Sequence, residues 1–464
     1  MESYDFLVIG GGSAGYAAAR TAQAMGKRVA IVDGARELGG LCILRGCMPS
    51  KTLLHPADIL HHARHSEILG LRVKDARLGM PALQAWKRKV IGEFATDRQQ
   101  ALESGKYALY RSDARFVGTD LVELTDGTRL RAERIFIGTG SKVNVPPLPG
   151  LAETPFWTSD DVLELDFVPS SVIVLGGGAI ACELAQFLDR IGSKVILLQR
   201  SEHLLKEYSR EAAAVIEEVL RQEGVELHTG THVEEISTIT EGVRVKFRQG
   251  NEVFTRDAAY LFNALGRAPN VADLNLEAAG VEVSHGRIKV NAWQQTTNER
   301  VYAGGDACGP YDVVHLAVAQ GELAAGHAFG RSGLEPIEPD QRLSVVFTDP
   351  PLASLGLNES ELETRGVKFF AAVHPFADHG KSILMNATTG FVKILAEATD
   401  GRLLGAEIVG VQGDSLIHCL SGPLAMKATV RDLLKAPWYH PTLAEILVYP
   451  LEEIAGKLTG NKSP

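Results

Sequence analysis

The sequence predicts an α/β protein in which one parallel-sheet unit is inserted into another and an α+β unit follows. The prediction rests first on a pattern of strand, glycine turn, helix and strand that occurs twice, from Phe6 and again from Val172. A short apolar strand at 301–303 is placed to return to the first unit. From about Leu343 the pattern changes to short β-rich segments with helices near 414–428 and 443–458, which is typical of an α+β unit.

Composition and charge narrow the class of protein. At 464 residues the chain exceeds the size of one hydrophobic core, so several domains are expected. The net charge of −10 and the lack of a basic stripe argue against nucleic-acid binding. The first residues carry no basic and apolar leader, and no apolar window reaches the roughly eighteen residues that a membrane span needs. With five cysteines at irregular spacing, we expect a cytoplasmic protein that binds no membrane.

The first glycine motif is a complete fingerprint for a dinucleotide. Gly10, Gly12 and Gly15 lie between the strand that begins at Phe6 and an Ala-rich helix. Glycines permit the tight turn and the close approach of a pyrophosphate to the helix N-terminus. Asp33 ends the next strand, where a carboxylate can accept a hydrogen bond from a ribose hydroxyl. The motif predicts a Rossmann-like nucleotide site, and a tight turn without a ligand is the alternative.

The second motif repeats this plan but ends its second strand differently. Gly176, Gly178 and Ala181 form the turn and the start of the helix. The following strand ends without a carboxylate, and Arg200 stands beside the place where one would be. Arg200, with Lys206 nearby, could hold the 2′-phosphate of NADP(H), whereas two solvated surface cations are the alternative. The sequence therefore favours NADP(H) over NAD(H).

Glycine turns also indicate where the units meet. The first unit reaches Thr139 and Gly140, the second closes at Gly266, and the proline-rich run 146–150 could form a stiff crossing between them. Asp306 follows the returning strand and is expected to approach the first ligand. The predicted division is 1–148 and 267–342 for the first nucleotide unit, 149–266 for the inserted unit and 343–464 for the α+β unit.

Two cysteines after the first motif suggest redox chemistry. Cys42 and Cys47 are five residues apart, a spacing that rotates them by about 140° on an ideal helix and prevents them from facing each other. A bond between them requires an irregular turn, which Gly46 and Pro49 would support. If Cys47 opens a helix, the free N–H groups there favour its thiolate. A pair of inert thiols is the alternative.

Together these motifs resemble the pyridine nucleotide–disulfide oxidoreductases, which include dihydrolipoamide dehydrogenase, glutathione reductase and mercuric reductase. The resemblance runs along nearly the whole chain. It implies two nested Rossmann-like dinucleotide-binding domains and a C-terminal α+β dimerisation domain, with FAD and a nicotinamide nucleotide as cofactors and a homodimer with shared active sites. The resemblance rests on both glycine motifs, the segment 42–51, Glu183, Asp306, His440 and Glu445.

The resemblance also implies roles for individual residues. Cys47 would lie against the isoalloxazine, and Cys42 would attack the substrate disulfide. Lys51, paired with Glu183, would stabilise reduced flavin. FAD would be held by Gly10, Gly12, Gly15, Asp33, Thr139, Gly140 and Asp306. The nicotinamide nucleotide would be held by Gly176, Gly178, Ala181, Arg200, Lys206 and Gly266.

His440 and Glu445 match the acid–base pair that this family takes from the partner subunit. An imidazole can protonate a departing thiolate and deprotonate an incoming thiol, while the carboxylate orients the ring. A purely structural histidine is the alternative. The match implies that a monomer is inactive.

Three departures from the family pattern bear on the substrate. Ala181, Arg200 and Lys206 resemble NADPH-using glutathione reductases more than NAD-using lipoamide enzymes. The C-terminus lacks a cysteine pair and His440 is present, both unlike mercuric reductase. Glu322 lies where glutathione reductases place an arginine near substrate carboxylates. We expect a small disulfide or a protein-bound lipoyl group as substrate, with mercuric-reductase-like and glutathione-reductase-like activities as alternatives.

Two other hypotheses stay open at the level of sequence. The chain could be a redox-sensing flavoprotein without turnover, although the intact cysteine pair and His440 argue against it. His61 and His65 share a helix face, but no cysteine or carboxylate array accompanies them, so no metal site is predicted.

Overall fold

The computed structural model describes residues 2–460. Parallel strands and helices alternate around each glycine motif, and antiparallel strands dominate after residue 340. Within the described residues the α-helices are α1 (Ser13–Ala24), α2 (Gly40–Arg45), α3 (Cys47–Arg64), α4 (Met80–Leu102), α5 (Ser159–Leu163), α6 (Ala179–Ile191), α7 (Arg210–Glu223), α8 (Val314–Ala328), α9 (Glu359–Thr364), α10 (Gly380–Leu384), α11 (Gly413–Leu416), α12 (His418–Ala425), α13 (Val430–Leu433) and α14 (Val448–Gly460).

The strands are described in the same residues and in chain order. They are β1 (Glu2–Ile9), β2 (Val29–Val32), β3 (Ala108–Tyr110), β4 (Ala114–Phe116), β5 (Leu121–Leu124), β6 (Arg129–Ile137), β7 (Ser141–Val143), β8 (Ser171–Leu175), β9 (Lys194–Leu198), β10 (Glu226–His228), β11 (Thr231–Ile239), β12 (Gly242–Gln249), β13 (Glu252–Ala258), β14 (Tyr260–Asn263), β15 (Arg267–Pro269), β16 (Val283–Ser284), β17 (Arg287–Ile288), β18 (Val301–Ala303), β19 (Leu343–Val346), β20 (Leu352–Gly356), β21 (Phe369–Pro375), β22 (Phe391–Glu397) and β23 (Leu403–Val409).

The first of two compact units comprises the chain up to Leu53, then Pro81–Asn144 and Gly266–Ile337. Its main sheet has the order β3-β2-β1-β6-β5-β4, and β18 also pairs with β6. The pairs β1–β2, β1–β6 and β6–β18 are parallel, with Val301 opposite Ile135. The late strand at 301–303 therefore returns to the first sheet, as the sequence predicts, because its apolar residues complete a buried layer.

The second unit comprises Leu54–Met80, Val145–Leu265 and the chain from Glu338 onwards. It holds a parallel sheet, β10-β9-β8-β14, and an antiparallel sheet, β11-β12-β13. Helix α6 connects β8 to β9 in the way that a Rossmann-like unit requires. The residues before Leu265 therefore repeat the strand–helix–strand plan of the first motif.

An antiparallel sheet with helices packed on it forms the C-terminal part of the second unit. Its strand order is β19-β20-β23-β22-β21, and helices α12 and α14 share its apolar core. The predicted helix over 414–428 is divided into α11 and α12, and the predicted helix over 443–458 begins as a 3-10 turn, Leu443–Leu447. The α/β class with a C-terminal α+β part is confirmed.

The chain segments that precede and follow the inserted segment lie side by side. Strand β7 pairs with β15 in antiparallel fashion, and the Asn144 N–H donates to the carbonyl of Gly266 at 3.0 Å. These residues are close to the predicted limits at 148 and 266, although the four-part division itself stays a prediction. Residues 461–464, part of the predicted 343–464 range and of the C-terminus without a cysteine pair, lie outside the described residues. Between residues 2 and 460 no helix is long and apolar enough to cross a membrane.

Candidate active site

The two predicted redox cysteines lie on two successive helices. Cys42 is half-buried in α2, and Cys47 is exposed at the first residue of α3. Gly46 separates the helices, and a Cβ atom there would lie 3.1 Å from the carbonyl oxygen of Leu41. The turn that the sequence analysis required is therefore formed at a glycine.

The two thiols hydrogen-bond to each other, and this contact changes the pKa of Cys42. The bond to Cys47, followed by burial, raises the pKa of the Cys42 thiol far above its ordinary value, while the charge of Lys51 acts in the opposite direction. The Cys42 thiol is therefore harder to deprotonate than an ordinary thiol, whereas Cys47 is the first residue of α3. The N-terminus of the 18-residue helix α3 favours a thiolate at this position because its free N–H groups carry partial positive charge.

The first glycine motif forms a turn that admits no side chain at two positions. Gly10 has a φ of +98°, and a Cβ atom on Gly15 would lie 1.8 Å from the carbonyl oxygen of Gly10. Gly12 precedes α1, and a Cβ atom there would meet only Gly40, at 3.8 Å. The buried Asp33 accepts the N–H of Gly11 at 2.8 Å, so its carboxylate is held at this turn.

A buried polar atom without a partner lies beside the same turn. The Oγ1 atom of Thr139 is buried and has no hydrogen-bond partner among residues 2–460. Thr139 adjoins the motif, because a Cβ atom on Gly10 would lie 2.4 Å from the oxygen of the preceding residue, Gly138. Gly140, next along the chain, has a φ of +67°. An open helix start, a held carboxylate and an orphaned hydroxyl together fit a dinucleotide such as FAD.

Asp306 lies in the same unit on the turn after β18. It accepts a hydrogen bond from the Ser141 hydroxyl at 2.6 Å, and burial raises the pKa of its carboxyl group. The neighbouring Gly305 N–H donates to the buried side chain of Gln320 at 2.7 Å. Sequence reasoning missed Ser141 and Gln320. The position of Ser141 directly after Gly140 was the available signal, whereas nothing in the sequence of α8 distinguished Gln320.

The second glycine motif resembles the first in the side chain that lies against its middle glycine. A Cβ atom on Gly11 would lie 2.9 Å from the Asp33 carboxylate, and one on Gly177 would lie 2.8 Å from the side-chain carbon of Gln199. Gln199 therefore occupies the place of Asp33 and is a candidate site residue that sequence reasoning did not assign. Its amide is neutral, so it does not repel a phosphate.

The other residues that are predicted to hold the nicotinamide nucleotide do not all belong to one unit. Gly176 has a φ of +118°, a Cβ atom on Gly178 would meet nothing within 4 Å, and Ala181 is buried. Arg200 and Lys206 are exposed, and neither has a hydrogen-bond or ion-pair partner in the part of the chain that the structure describes. Gly266, with a φ of +93°, belongs to the first unit, whereas the other residues predicted to hold the nicotinamide nucleotide belong to the second.

Lys51 and Glu183, which are predicted to form an ion pair, belong to different units. Lys51 is half-buried one turn after Cys47, and Glu183 is buried in α6. The Glu183 carboxylate accepts the backbone N–H of Phe347 at 2.9 Å. The pairing of Lys51 with Glu183 stays a prediction.

His440 and Glu445 form a contact within the C-terminal part of the second unit. The Nδ1 atom of His440 lies 2.9 Å from both carboxylate oxygens of Glu445. The imidazole is 73% exposed, whereas the carboxylate is 19% exposed. The arrangement fixes the ring through one nitrogen and leaves Nε2 open to a ligand.

The histidines of α3 belong to an ion-pair cluster. The rings of His61 and His65 lie 4.3 Å apart between centroids, but His61 also lies 3.8 Å from Glu223, and His62 contacts Asp349 at 2.7 Å. Among residues 2–460 no three His, Cys, Asp or Glu side chains are arranged to hold a metal ion.

Comparison with known proteins gives the family. Residues 4–321 match the model described as pyridine nucleotide-disulphide oxidoreductase, and residues 343–450 match its dimerisation domain. Dihydrolipoyl dehydrogenase from Thermus scotoductus is 35% identical over 98% of this chain and 98% of that protein. Mercuric reductase from Bacillus cereus is 33% identical over 95% of this chain and 70% of that protein. The solved structure of the HOCl-induced flavoprotein disulfide reductase RclA from Escherichia coli matches with a TM-score of 0.85 and 26% identity, over 97% of this chain and 99% of that one.

These matches extend over both glycine motifs, the cysteine pair and the C-terminal sheet. FAD and a pyridine nucleotide are the cofactors that the family implies, and the residues around Thr139 and Gly178 are suited to them. The chain belongs to the pyridine nucleotide-disulphide oxidoreductase family of flavoproteins.

Proposed function

We propose that this chain is an FAD-dependent disulfide reductase that takes electrons from NADPH in preference to NADH. The observation that carries the proposal is the hydrogen-bonded pair of Cys42 and Cys47, with Cys47 at the first residue of α3. The contact raises the pKa of the Cys42 thiol, and the start of a helix favours a thiolate at Cys47. A thiolate in contact with a second thiol is suited to thiol–disulfide exchange.

The exchange uses the two sulfurs in sequence. Deprotonated Cys42 attacks one sulfur of the substrate disulfide, so a mixed disulfide forms and one thiolate leaves. Cys47 then attacks the Cys42 sulfur, which forms the Cys42–Cys47 disulfide and releases the second thiolate. Asp33, Thr139 and the first glycine turn would hold FAD, which would supply the electron pair that returns this disulfide to two thiols.

His440 of the partner subunit provides the protons in this proposal. Its Nε2 atom takes the proton from the attacking thiol and gives it to the leaving thiolate, while Glu445 orients the ring through Nδ1. The exposure of the ring in a single chain and the presence of the family's dimerisation domain both support a homodimer with shared sites.

Three residues at the end of β9 support NADPH as the donor. Arg200 and Lys206 are exposed cations with no carboxylate partner among residues 2–460, and Gln199 replaces the carboxylate of the first motif. A guanidinium group binds phosphate through paired hydrogen bonds. The cationic pair is therefore suited to a 2′-phosphate.

The acceptor is a disulfide, and a lipoamide-like substrate is the first candidate. Dihydrolipoyl dehydrogenases are among the relatives that match over nearly the full chain. Steady-state rates with NADPH and NADH against lipoamide, glutathione disulfide and other small disulfides identify the substrate. Turnover of none of them would favour a non-catalytic, redox-sensing flavoprotein.

The cysteine roles are tested with three single substitutions of the holoenzyme. Under anaerobic reduction the wild type should show a long-wavelength thiolate–flavin absorption band. Cys47→Ser should abolish this band, whereas Cys42→Ser should retain it and lose disulfide reduction. Cys419→Ser, at another exposed cysteine, is the matched control and should change neither. A band that survives Cys47→Ser would contradict the assignment.

Metal-ion reduction is a second candidate. Two thiols in contact are soft ligands, and several relatives are mercuric reductases. NADPH oxidation that depends on Hg(II) and is lost in both Cys42→Ser and Cys47→Ser would support this activity over disulfide reduction.

A further inference from the structure

An arginine in the first unit carries a buried nitrogen that nothing satisfies. Arg98 lies on α4, and its guanidinium group stacks over the ring of Tyr16, 4.2 Å from the ring centroid. Its Nη1 atom is buried and has no hydrogen-bond partner among residues 2–460. A buried N–H group is almost always paired, so an unpaired one on a cation indicates that an acceptor is missing.

Helix α2, which carries Cys42, begins at Gly40 beside Gly12, and the Gly12 carbonyl accepts the N–H of Tyr16 at 2.8 Å, so Tyr16 and the arginine stacked on it lie in the same region as Cys42. Burial lowers the pKa of the Arg98 guanidinium group, Tyr16 and Cys42 act to raise that pKa, and the charge of Arg20 lowers it further. Arg20 already has a carboxylate partner, because it donates to Glu322 at 2.5 Å. Of these two cations, Arg98 is therefore the one without a carboxylate partner among residues 2–460.

We propose that Arg98, held flat on Tyr16, binds a carboxylate of the disulfide substrate beside Cys42. The inference rests on the proposed function and deepens it, since it makes the preferred substrate an anionic disulfide. A guanidinium group and a carboxylate match in charge and in planar geometry. Stacking on the ring fixes the plane of the group before the substrate arrives, and Arg98 is only half-buried, so the side chain is not sealed from a ligand.

Lipoate and lipoamide make a matched pair for the test, because they share one disulfide and differ in a single charge. For the wild-type holoenzyme we expect a higher kcat/KM with lipoate. In Arg98→Gln the ratio of kcat/KM for lipoate to that for lipoamide should fall about tenfold, the effect of losing one charge-assisted hydrogen bond. Arg98→Lys should lower this ratio by a smaller factor. Arg88 is an exposed residue of the same helix, and Arg88→Gln should leave the ratio unchanged.

Alkylation separates this inference from the proposed function, since it needs no turnover. Iodoacetate and iodoacetamide differ in charge in the same way, and peptide mapping measures each cysteine of the reduced holoenzyme. Arg98→Gln should lower the iodoacetate-to-iodoacetamide rate ratio at Cys42 about tenfold and leave it unchanged at Cys419.

An unchanged ratio at Cys42 overturns the inference. So does an equal loss with both reagents, which would mean that Arg98 acts on the thiolate and not on the ligand. Failure to reduce any disulfide, with the alkylation ratio shifted, would contradict the proposed function alone.

Discussion

The Nδ1 atom of His440 lies 2.9 Å from each carboxylate oxygen of Glu445. A carboxylate in contact with one ring nitrogen orients the imidazole. It also directs the proton of the neutral ring to Nδ1 and leaves the lone pair on Nε2. Because the ring is 73% exposed in a single chain, the group that it serves is expected on a second chain.

The substitution His440→Ala should slow one half-reaction selectively. Loss of a general acid and base costs about 10²- to 10⁴-fold in the step that it serves. Stopped-flow measurement should show this loss when reduced enzyme reacts with the disulfide, and little change when NADPH reduces the flavin. Glu445→Gln should impair the same half-reaction less, because the imidazole remains. Equal damage to both half-reactions would contradict the assigned role.

The charge reversal Arg200→Glu should shift the nucleotide preference. Removing a hydrogen-bonded cation from a phosphate and adding a negative charge should lower the ratio of kcat/KM for NADPH to that for NADH at least about tenfold. Lys194→Glu makes the same change of charge at the exposed start of β9 and should leave the ratio unaltered. If the wild-type enzyme has a higher kcat/KM with NADH than with NADPH, the proposed preference for NADPH is wrong.

Local motifs made the nucleotide turns and the cysteine pair predictable. The glycines at 10 and 15 and the carboxylate of Asp33 act within one strand–turn–helix–strand segment, so their spacing alone carries the information. The break between α2 and α3 follows from the same kind of reasoning, because two cysteines five residues apart cannot face each other on one helix.

Residues that work through distant packing could not be predicted in this way. Ser141 meets Asp306 across 165 positions, and Arg190 meets Asp58 across 132. No periodicity or spacing links such pairs, because the sheet order and the helix packing bring them together. Arg98 belongs to the same class, since only its stacking on Tyr16 distinguishes it from the other charged residues of α4.

Arg190 should be the most sensitive charged residue of the second unit to substitution. Its side chain is 2% exposed and contacts Asp58 at 2.7 Å, Glu223 at 2.6 Å and Asp349 at 3.1 Å. Arg190→Met leaves these carboxylates close together without their cation, which should lower the free energy of unfolding by about 3–5 kcal/mol. Urea denaturation of the holoenzyme at neutral pH measures this loss in the free energy of unfolding.

The control for this substitution lies on a neighbouring helix. Arg221 is 43% exposed on α7 and pairs with Glu217 four residues earlier. Arg221→Met should change the free energy of unfolding by only about 0.5 kcal/mol, because exposed pairs of this kind contribute little. Similar losses for Arg190→Met and Arg221→Met would show that the buried cluster is not held by its central cation.

Asp58 should give the stability of the protein a pH dependence near neutrality. Burial raises the pKa of its carboxyl group to about 7, and the charge of Asp349 acts in the same direction, while Arg190 opposes both. A folded-state pKa above the unfolded value means that the folded protein binds the proton more tightly. This stabilisation is complete below about pH 4 and is lost as the pH rises through 7.

The substitution Asp58→Asn removes this titration. As the pH rises from 5 to 8, the free energy of unfolding of the variant should increase by roughly 1–2 kcal/mol relative to that of wild type. The expected energy is no larger because the side chain is partly exposed. Urea denaturation across this pH range, with the exposed Asp166→Asn as control, measures the difference. Parallel curves for Asp58→Asn and wild type would mean that Asp58 is already ionised at pH 5, and that Arg190 outweighs burial in setting its pKa.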